Sequence, residues 1–299
     1  MKFEHASCNL CGKNQAEILI ELGSINIVRC SNCGLIYEDP RLNEMAMRDN
    51  FVCDRVPSEH KEQARYSAKI KLFKKNLKRI ERHCPKGKLL DVGCGYGTFL
   101  KIAQDRAWQV KGIELSKTSF KYATEKLNLD VINTPLGEAI LPSNYFDVLT
   151  FWEVLDLVCN PLRDLLEARR VLKNGGCLAL RIQNANFHIP LRRSKLISFL
   201  CAKFKMQPTV LHVYNFSPKT IQLLLEKAGF DDIKVFVSEF TSGDPYSGSG
   251  ALGAIGMQTV KIIVYLLCQL IFLVTLGRVI LSPTILVFAR KPKNEDKNN

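Results

Sequence analysis

The sequence of 299 residues is short of acidic side chains and contains only 12 Pro and 18 Gly. It has no internal repeat and no low-complexity tract, which excludes collagen-like and solenoid proteins. It also has no apolar signal-peptide core at its start, so we expect a cytoplasmic protein whose cysteines are metal ligands or core residues. The 29 Asp and Glu against 42 Lys and Arg leave a charge of +13. Such a surface attracts phosphates, nucleic acid or anionic lipid.

Four of the 11 cysteines form a regular array near the start of the chain. Two CxxC pairs, Cys8 with Cys11 and Cys30 with Cys33, are separated by 18 residues, and each pair is followed by Gly. This spacing is typical of a zinc ribbon, and the Gly after each pair suits the tight turn around the thiolates. Iron in the same cage is the alternative metal. A closed site of this kind stabilises a small lobe, here 1–40, and leaves no coordination position for chemistry.

The segment 41–84 combines a linker with a basic amphipathic helix over 59–83. Its apolar residues recur every three or four positions among many Lys and Arg. We interpret it as an outer helix over a core stripe, with a helix that binds nucleic acid as the alternative. From residue 85 onward, short β-type runs alternate with helical stretches. This alternation predicts a doubly wound, mostly parallel sheet covered by helices on both faces.

A glycine-rich turn follows the first predicted strand of this α/β region, in LLDVGCGYGTFL. Gly93, Gly95 and Gly97 allow a ligand to approach the backbone closely where a helix begins. Asp91 precedes these glycines. Glu114 ends the next predicted strand, where a carboxylate can accept hydrogen bonds from both hydroxyls of a ribose. The two acids make the pattern more specific than a glycine-rich turn alone.

These motifs resemble, in their order, the class I S-adenosylmethionine-dependent methyltransferases over about 86–236 and again at 284–290. The chain is similar to that family in LPSNYFDVLTFWEVLDL and FSPKTIQLLLEKAGF as well, and many such enzymes carry a zinc lobe in front. The resemblance implies a seven-stranded sheet, S-adenosylmethionine as cofactor and methyl transfer as activity. We interpret Cys94 as a packed turn residue and not as a nucleophile. The residues that the resemblance places around the cofactor are Asp91, Gly93, Cys94, Gly95, Gly97, Glu114, Leu115, Leu136 and Trp152.

Methyl transfer from a sulfonium is an in-line displacement, so the protein mainly aligns the acceptor. Glu153, after the fourth strand, and His212 and Tyr214, before the late helix, are the predicted polar groups of the acceptor side. A carboxylate at a helix N-terminus is the alternative role for Glu153, and a structural histidine is the alternative for His212. The family commonly has a His where this chain has Leu157, which places proton transfer from that turn in doubt.

Two insertions exceed the short connections of this fold. The first, 184–215, contains the basic amphipathic stretch PLRRSKLISFLCAKFKM, a signature of a membrane surface or of a lid over the acceptor site. The second, 241–283, contains the apolar run 262–281, which is long enough for a bilayer span. The run 284–299 looks like the family's last strand followed by a polar tail, and such a strand returns to the same sheet. We therefore favour a segment in the membrane interface, as a helix or as a re-entrant hairpin bent at Gly277, unless 284–290 is not that strand. A true span, a helix packed on the sheet and a dimer contact are the alternatives.

These features together predict a methyltransferase that acts on a hydrophobic or lipid-linked small molecule at the inner face of the cell membrane. An RNA methyltransferase that uses the zinc ribbon and the basic surface is one alternative. A membrane assembly factor that keeps the fold without turnover is another. The sequence leaves open the acceptor atom and the oligomeric state.

Overall fold

The computed structural model describes residues 2–52, 59–195, 199, 211–239 and 251–293. Its strands are β1 (Phe3–Glu4), β2 (Ala16–Leu22), β3 (Ile25–Cys30), β4 (Ile36–Glu38), β5 (Arg41–Leu42), β6 (Lys88–Val92), β7 (Gln109–Ile113), β8 (Val131–Ile132), β9 (Phe146–Trp152), β10 (Leu172–Gln183), β11 (Tyr214–Asn215), β12 (Asp231–Val237) and β13 (Thr284–Arg290). Its α-helices are α1 (Glu44–Val52), α2 (Glu59–His83), α3 (Thr98–Gln104), α4 (Lys117–Lys121), α5 (Pro161–Val171), α6 (Ala185–Arg193), α7 (Pro218–Lys227) and α8 (Ala251–Val274).

Seven strands form the main sheet in the order β12-β13-β10-β9-β6-β7-β8. The strands from β10 to β8 pair in parallel, whereas β13 runs antiparallel to both β10 and β12. This topology confirms the predicted doubly wound, mostly parallel seven-stranded sheet. It also confirms that the run 284–290 is the last strand and lies inside the sheet.

The central strands are buried on both faces, which explains their continuous apolar runs. On one face, Phe73 of α2 and Phe99 of α3 pack in the cluster that contains Leu89. On the other, Leu165 of α5 and Leu224 of α7 belong to the larger cluster. Each such side chain stabilises the fold by about 1.5–3 kcal/mol relative to exposure.

The cysteine lobe shares a sheet with the core. Strands β2, β3 and β4 form an antiparallel sheet. Strand β11, which belongs to the first insertion of the core, pairs with β4 and extends this sheet at its edge. The lobe also contacts the start of α5, where Asn9 Nδ2 donates to Asn160 Oδ1 and Asn9 Oδ1 accepts from Leu162 N, both at 2.9 Å. The lobe is therefore positioned against the core by backbone pairing as well as by side chains.

The two insertions are described in part. The first contributes α6 and β11, and its stretches 196–198 and 200–210, which include most of the predicted amphipathic helix, lie outside the described residues. The second contributes α8 between the neighbouring strands β12 and β13. In the described part of the chain, no helix reaches the length and apolar character needed to cross a bilayer.

Candidate active site

The carboxyl ends of β6, β7 and β9 meet at one edge of the sheet, where the glycine loop lies. Gly93, Gly95 and Gly97 have φ values of 71°, 54° and 76°, in the region that favours glycine. A Cβ at Gly93 would lie 2.4 Å from Val154 Cγ2, and one at Gly97 would lie 2.4 Å from Leu129 Cδ1. The loop therefore needs glycine for both its conformation and its packing.

Asp91 lies beneath this loop at the end of β6 and is 1% exposed. Thr150 Oγ1 donates a hydrogen bond to Asp91 Oδ1 at 2.6 Å. Burial, opposed by the Thr150 hydrogen bond and reinforced by the charge of Glu114, raises the pKa of Asp91 to about 8. A cation bound beside Asp91 would favour its charged form, so the site is suited to a positively charged ligand.

Glu114 faces the same loop from the end of β7. Its Oε2 accepts from Gly95 N at 2.7 Å, and its Oε1 accepts from Ser116 N at 2.8 Å. Asn133 Nδ2 donates to the carbonyl oxygens of Glu114 and Leu115, at 2.6 and 3.1 Å, and so fixes the turn. Each carboxylate oxygen has more than one acceptor position, so the oriented carboxylate can accept from two further hydroxyls.

The apolar residues predicted to contact an adenine differ in burial. Leu115 is half-buried beside Glu114, whereas Leu136 is 2% exposed in a short 3-10 turn. Cys94 is packed beneath the loop, because a Cβ at Gly112 would lie 2.8 Å from Cys94 Sγ. Burial raises the pKa of the Cys94 thiol well above its ordinary value. This placement supports the packed-turn interpretation, since a nucleophile needs the thiolate.

Trp152, predicted to contact the cofactor, lies mostly in the core. Its ring makes edge contacts with Phe99, at a centroid distance of 5.0 Å, and a tilted contact with Phe73 at 6.1 Å. Its Nε1 is buried and has no hydrogen-bond partner among the described residues. The indole therefore joins β9 to α2 and α3 beside the site.

Glu153 follows Trp152 with φ 62°, an uncommon conformation for a residue other than glycine. Its carboxylate pairs with Arg181 of β10 and Lys69 of α2. Arg181 is 1% exposed and also donates to Ser238 Oγ at 2.9 Å. Since a turn and not a helix follows Glu153, the alternative role at a helix N-terminus does not apply. The geometry instead gives Glu153 a place in a buried charge cluster.

Asp156 and His212 form a hydrogen-bonded pair at the carboxyl ends of β9 and β10. His212 Nδ1 donates to Asp156 Oδ2 at 2.9 Å, and the same oxygen accepts from Gln183 N at 3.3 Å. His212 Nε2 lies 3.1 Å from Gln183 Nε2. Asp156 is fully buried and its Oδ1 has no hydrogen-bond partner within the described ranges. With Nδ1 donating, a proton would enter at Nε2 and displace the Gln183 amide, and the Asp156 carboxylate would stabilise the imidazolium that forms.

Tyr214, the third predicted catalytic residue, is buried at the junction with the cysteine lobe. Its hydroxyl donates to Cys159 O at 3.0 Å and accepts from Arg41 Nη1. Burial raises the pKa of Tyr214 to about 12. This placement fits a structural role better than contact with a reacting atom.

The predicted metal ligands converge in the cysteine lobe. All four sulfur atoms lie within 4.8 Å of one another, and the residues are Cys8, Cys11, Cys30 and Cys33. Gly12 and Gly34, after the two pairs, have φ 77° and 78°, which confirms the tight turns. Zn–S bonds of about 2.3 Å in a tetrahedron place sulfurs about 3.8 Å apart, so the cluster fits such an ion.

Sequence reasoning missed several partners in this region. Lys69, Thr150 and Gln183 carried no motif, and each takes its role from a neighbour that is distant along the chain. Arg181 did carry a signal, because it is the single charge within the apolar run CLALRI. A charge at such a position predicts a buried partner, here Glu153.

The sheet topology and the glycine loop with its two acids define a class I S-adenosylmethionine-dependent methyltransferase. A family model described as a methyltransferase domain matches residues 59–235, more than half of the chain. The protein belongs to this family, and the predicted fold and enzyme class are confirmed.

Relatives of known sequence agree with this assignment. A protein of Methanocaldococcus jannaschii without assigned function is 29% identical over 175 residues, which cover 58% of this chain and 78% of that protein. A protein of Saccharophagus degradans named ubiquinone biosynthesis O-methyltransferase is 29% identical over 155 residues. That match covers 48% of this chain and 63% of the relative, less than two thirds of its length. The second of these matches agrees with the methyltransferase domain.

One solved structure shows the likeness in fold. The phosphoethanolamine N-methyltransferase 2 of Haemonchus contortus, in complex with S-adenosylmethionine, aligns with a TM-score of 0.54. The alignment covers 91% of this chain and 70% of that one at 15% identity. At this identity the likeness concerns the fold alone.

Proposed function

We propose that this methyltransferase modifies a hydrophobic or lipid-linked small molecule at an anionic membrane surface. The main support is the apolar face of α8. One side of the helix packs on the core through Val264, Tyr265, Cys268 and Phe272. The opposite side leaves a set of large apolar side chains at least half exposed: Ile263, Leu266, Leu267, Leu270, Leu273 and Val274. An apolar patch of this kind is typical of a surface that meets lipid or a partner.

Basic residues of α2 lie near the side of α8 that packs on the core. The Glu239 carboxylate connects the two helices, because it pairs with Lys75 of α2 and accepts from Tyr265 Oη of α8 at 3.4 Å. Further cations are exposed along α2, namely Lys71, Lys74, Lys78 and Arg82. Exposed cations on a helix that neighbours α8 favour association with an anionic leaflet.

The sheet topology supports a helix that lies on the membrane surface. The segment with α8 leaves the sheet after β12 and returns in β13, which is the antiparallel neighbour of β12. A single crossing of a bilayer would separate these two paired strands. We therefore propose an interfacial α8, with the sheet on the cytoplasmic side.

The cofactor-binding edge supplies groups that suit S-adenosylmethionine. The buried carboxyl of Asp91 suits the cationic methionine end, and the carboxylate of Glu114 suits the two ribose hydroxyls. Leu115 and Leu136 would contact the adenine, and the backbone of the glycine loop 93–97 would lie against the cofactor. When bound, S-adenosylmethionine supplies an electrophilic methyl group on its sulfonium.

We further propose His212 as the residue that accepts the proton of the acceptor, with Asp156 as its positioning residue. His212 reaches the carboxyl edge from the first insertion, and so provides an imidazole although the family's usual histidine position is Leu157. A base is needed when the acceptor is a neutral hydroxyl, where it contributes about 10²- to 10⁴-fold. The relative named an O-methyltransferase supports a hydroxyl acceptor. Glu153 would instead hold α2 against this edge.

The cysteine cluster is proposed to hold one structural zinc ion. The four thiolates of this closed site would stabilise the lobe whose sheet includes β11, two residues after His212. Metal binding would thus support the acceptor side without taking part in methyl transfer.

A transfer assay with S-adenosylmethionine carrying a labelled methyl group tests the proposal. The purified protein is incubated with a membrane extract of the cells that produce it and, separately, with RNA from the same cells. The products are then extracted into organic and aqueous phases. We expect label in the organic phase with membranes and none in RNA. The Glu114→Ala variant, incubated in parallel, should transfer little label. Label in RNA alone would contradict the proposed acceptor class and favour the RNA methyltransferase.

A further inference from the structure

A cleft of about 540 Å³ lies between α7, β12 and the segment 277–281 that follows α8. None of its lining residues belongs to the glycine loop, to the His212–Asp156 pair or to the cysteine cluster. The cleft is therefore a feature that the methyl-transfer site does not explain.

Two cations line this cleft. Lys219, in the first turn of α7, and Arg278 are both exposed, and neither pairs with a carboxylate in the described ranges. The side-chain amides of Asn186 and Gln222 also line it, and its lining has no Asp or Glu. The carboxylate of Glu226 lies one turn along α7, where it accepts from Gln222 Nε2 at 2.9 Å. Two cations and two amides form a set of donors that suits a phosphate group.

The remaining wall of the cleft is apolar and continues from α8. Ile233, Val235 and Ile280 contribute to this wall. The chain turns at Gly277, which has φ 79° and donates from its amide to Phe272 O at 2.7 Å. This turn brings Arg278 into the cleft, while the preceding Leu276 is 86% exposed. The cations thus lie at the end of the exposed apolar face of α8.

We propose that the cleft binds the phosphate of an anionic phospholipid headgroup, with Lys219 and Arg278 as the cationic ligands. A free phosphate would be bound by the cations alone, whereas an amphiphilic ligand also matches the apolar wall and the exposed side chains of α8. The bound lipid would fix the depth and rotation of α8 in the interface. This inference rests on the membrane-surface part of the proposed function.

A soluble lipid tests the cleft separately from vesicle binding. Dihexanoyl phosphatidylglycerol, kept below its micelle concentration, is titrated into the full chain by calorimetry. The double variant Lys219→Gln/Arg278→Gln should weaken binding by about 30-fold, because two cations are lost. The matched control is Lys121→Gln/Lys126→Gln, which removes the same charge at two exposed lysines outside the lining of the cleft and should stay within about twofold of the wild type.

The outcomes separate the cleft from the membrane proposal. Undetectable binding by the wild type, or equal binding by the double variant, would overturn the cleft as a headgroup site. Inorganic phosphate that competes as strongly as the lipid would overturn the lipid as its ligand. Vesicles of phosphatidylcholine, alone and mixed equally with phosphatidylglycerol, test the membrane surface itself. The wild type should sediment with the mixed vesicles. If it does not sediment with them although the soluble lipid still binds, the interfacial α8 is overturned and the cleft as a headgroup site is retained.

Discussion

The two carboxyl groups at the glycine loop differ in their burial and in their hydrogen-bond partners. Asp91 is fully enclosed and hydrogen-bonded to Thr150, whereas Glu114 is partly exposed and accepts two backbone amides. Desolvation favours the neutral acid at Asp91, whereas the two amide donors orient the carboxylate of Glu114. The same edge of the sheet thus offers Asp91, whose carboxyl would ionise beside a bound cation, and Glu114, whose carboxylate is oriented to accept hydrogen bonds from hydroxyl groups.

Replacement of Glu114 by Ala should weaken the binding of S-adenosylmethionine by about 1–3 kcal/mol. The physical reason is the loss of charge-assisted hydrogen bonds to the ribose. Calorimetric titration of wild type and variant measures the difference. The matched control is Glu125, an exposed residue in the helical turn that follows α4. The Glu125→Ala variant should bind S-adenosylmethionine as the wild type does. Unchanged affinity in Glu114→Ala would contradict the assigned ribose site.

Asp91 should make the stability of the cofactor-free protein depend on pH. The pKa of its carboxyl is about 8 in the folded chain and 3.8 when the carboxyl is in water, so the folded chain holds the extra proton between these values. Folding stability that this proton provides is present below about pH 4 and is lost as the pH rises through about 8. Asn carries no such proton. We expect the unfolding free energy of Asp91→Asn, relative to the wild type, to increase across this range in denaturant titrations.

The exposed Asp105 provides the control for this pH series. Asp105→Asn removes a carboxylate at the end of α3 and should leave the pH dependence parallel to that of the wild type. Parallel curves for Asp91→Asn as well would show that the Asp91 carboxyl is not held neutral by burial.

The functional residues could be predicted where their spacing along the chain is short. Asp91, the glycines and Glu114 lie within one strand–helix–strand unit, so their meeting follows from the parallel sheet. The pairing of Asp156 with His212 joins residues 56 positions apart through an insertion without a strong pattern. It depends on β11 joining the sheet of the cysteine lobe, which no local propensity indicates.

At the scale of elements, a buried charge cluster joins α2 to the main sheet. Glu153, at the end of β9, contacts Lys69 of α2 and Arg181 of β10. Breaking a buried pair leaves a charge without compensation, so Arg181→Met should lower the unfolding free energy by about 3–5 kcal/mol. Arg106→Met, which removes the exposed partner of Glu81, should cost much less, because water screens an exposed ion pair. Chemical denaturation measures both, and equal losses would contradict the cluster.

The cysteine lobe should depend on its metal ion. Metal analysis of protein purified without chelator should find one zinc per chain, and Cys30→Ser should release it because one of four thiolates is lost. Cys159→Ser, at a buried cysteine outside the cluster, should retain the metal. Wild-type protein without metal, or full retention in Cys30→Ser, would contradict the proposed site.

Elements with a strong period could be predicted closely, and weak ones could not. The helix over 59–83 has the predicted bounds, since it follows its hydrophobic period without interruption. Helix α4 instead changes after Lys121 to a π-helical turn at 122–126, which has no sequence signature. The union of β11 with the cysteine lobe was likewise outside prediction, because it joins two short strands from distant regions.

At the scale of the whole molecule, the exposed cations of α2 and of the cleft are both linked to the apolar helix α8. Helix α8 lies between two charged regions: Tyr265 contacts Glu239, the partner of Lys75 on α2, and the segment 277–281 after α8 lines the cleft on the α7 side of the sheet. The proposed interfacial α8 would therefore bring cations from both faces of the sheet towards lipid headgroups. A hydrophobic acceptor would then reach His212 from the lipid phase, as the proposed function requires.

Membrane fractionation of the full chain tests this account most directly. Membranes are separated from cytosol and washed first with high salt and then with alkaline carbonate. An interfacial α8 predicts that the protein survives the salt wash and is released by carbonate. The variant Leu266→Gln/Leu270→Gln/Leu273→Gln should remain in the cytosol, whereas Leu166→Gln, at an exposed leucine of α5, should behave as the wild type does. Recovery of the wild type entirely in the cytosol would contradict the central claim.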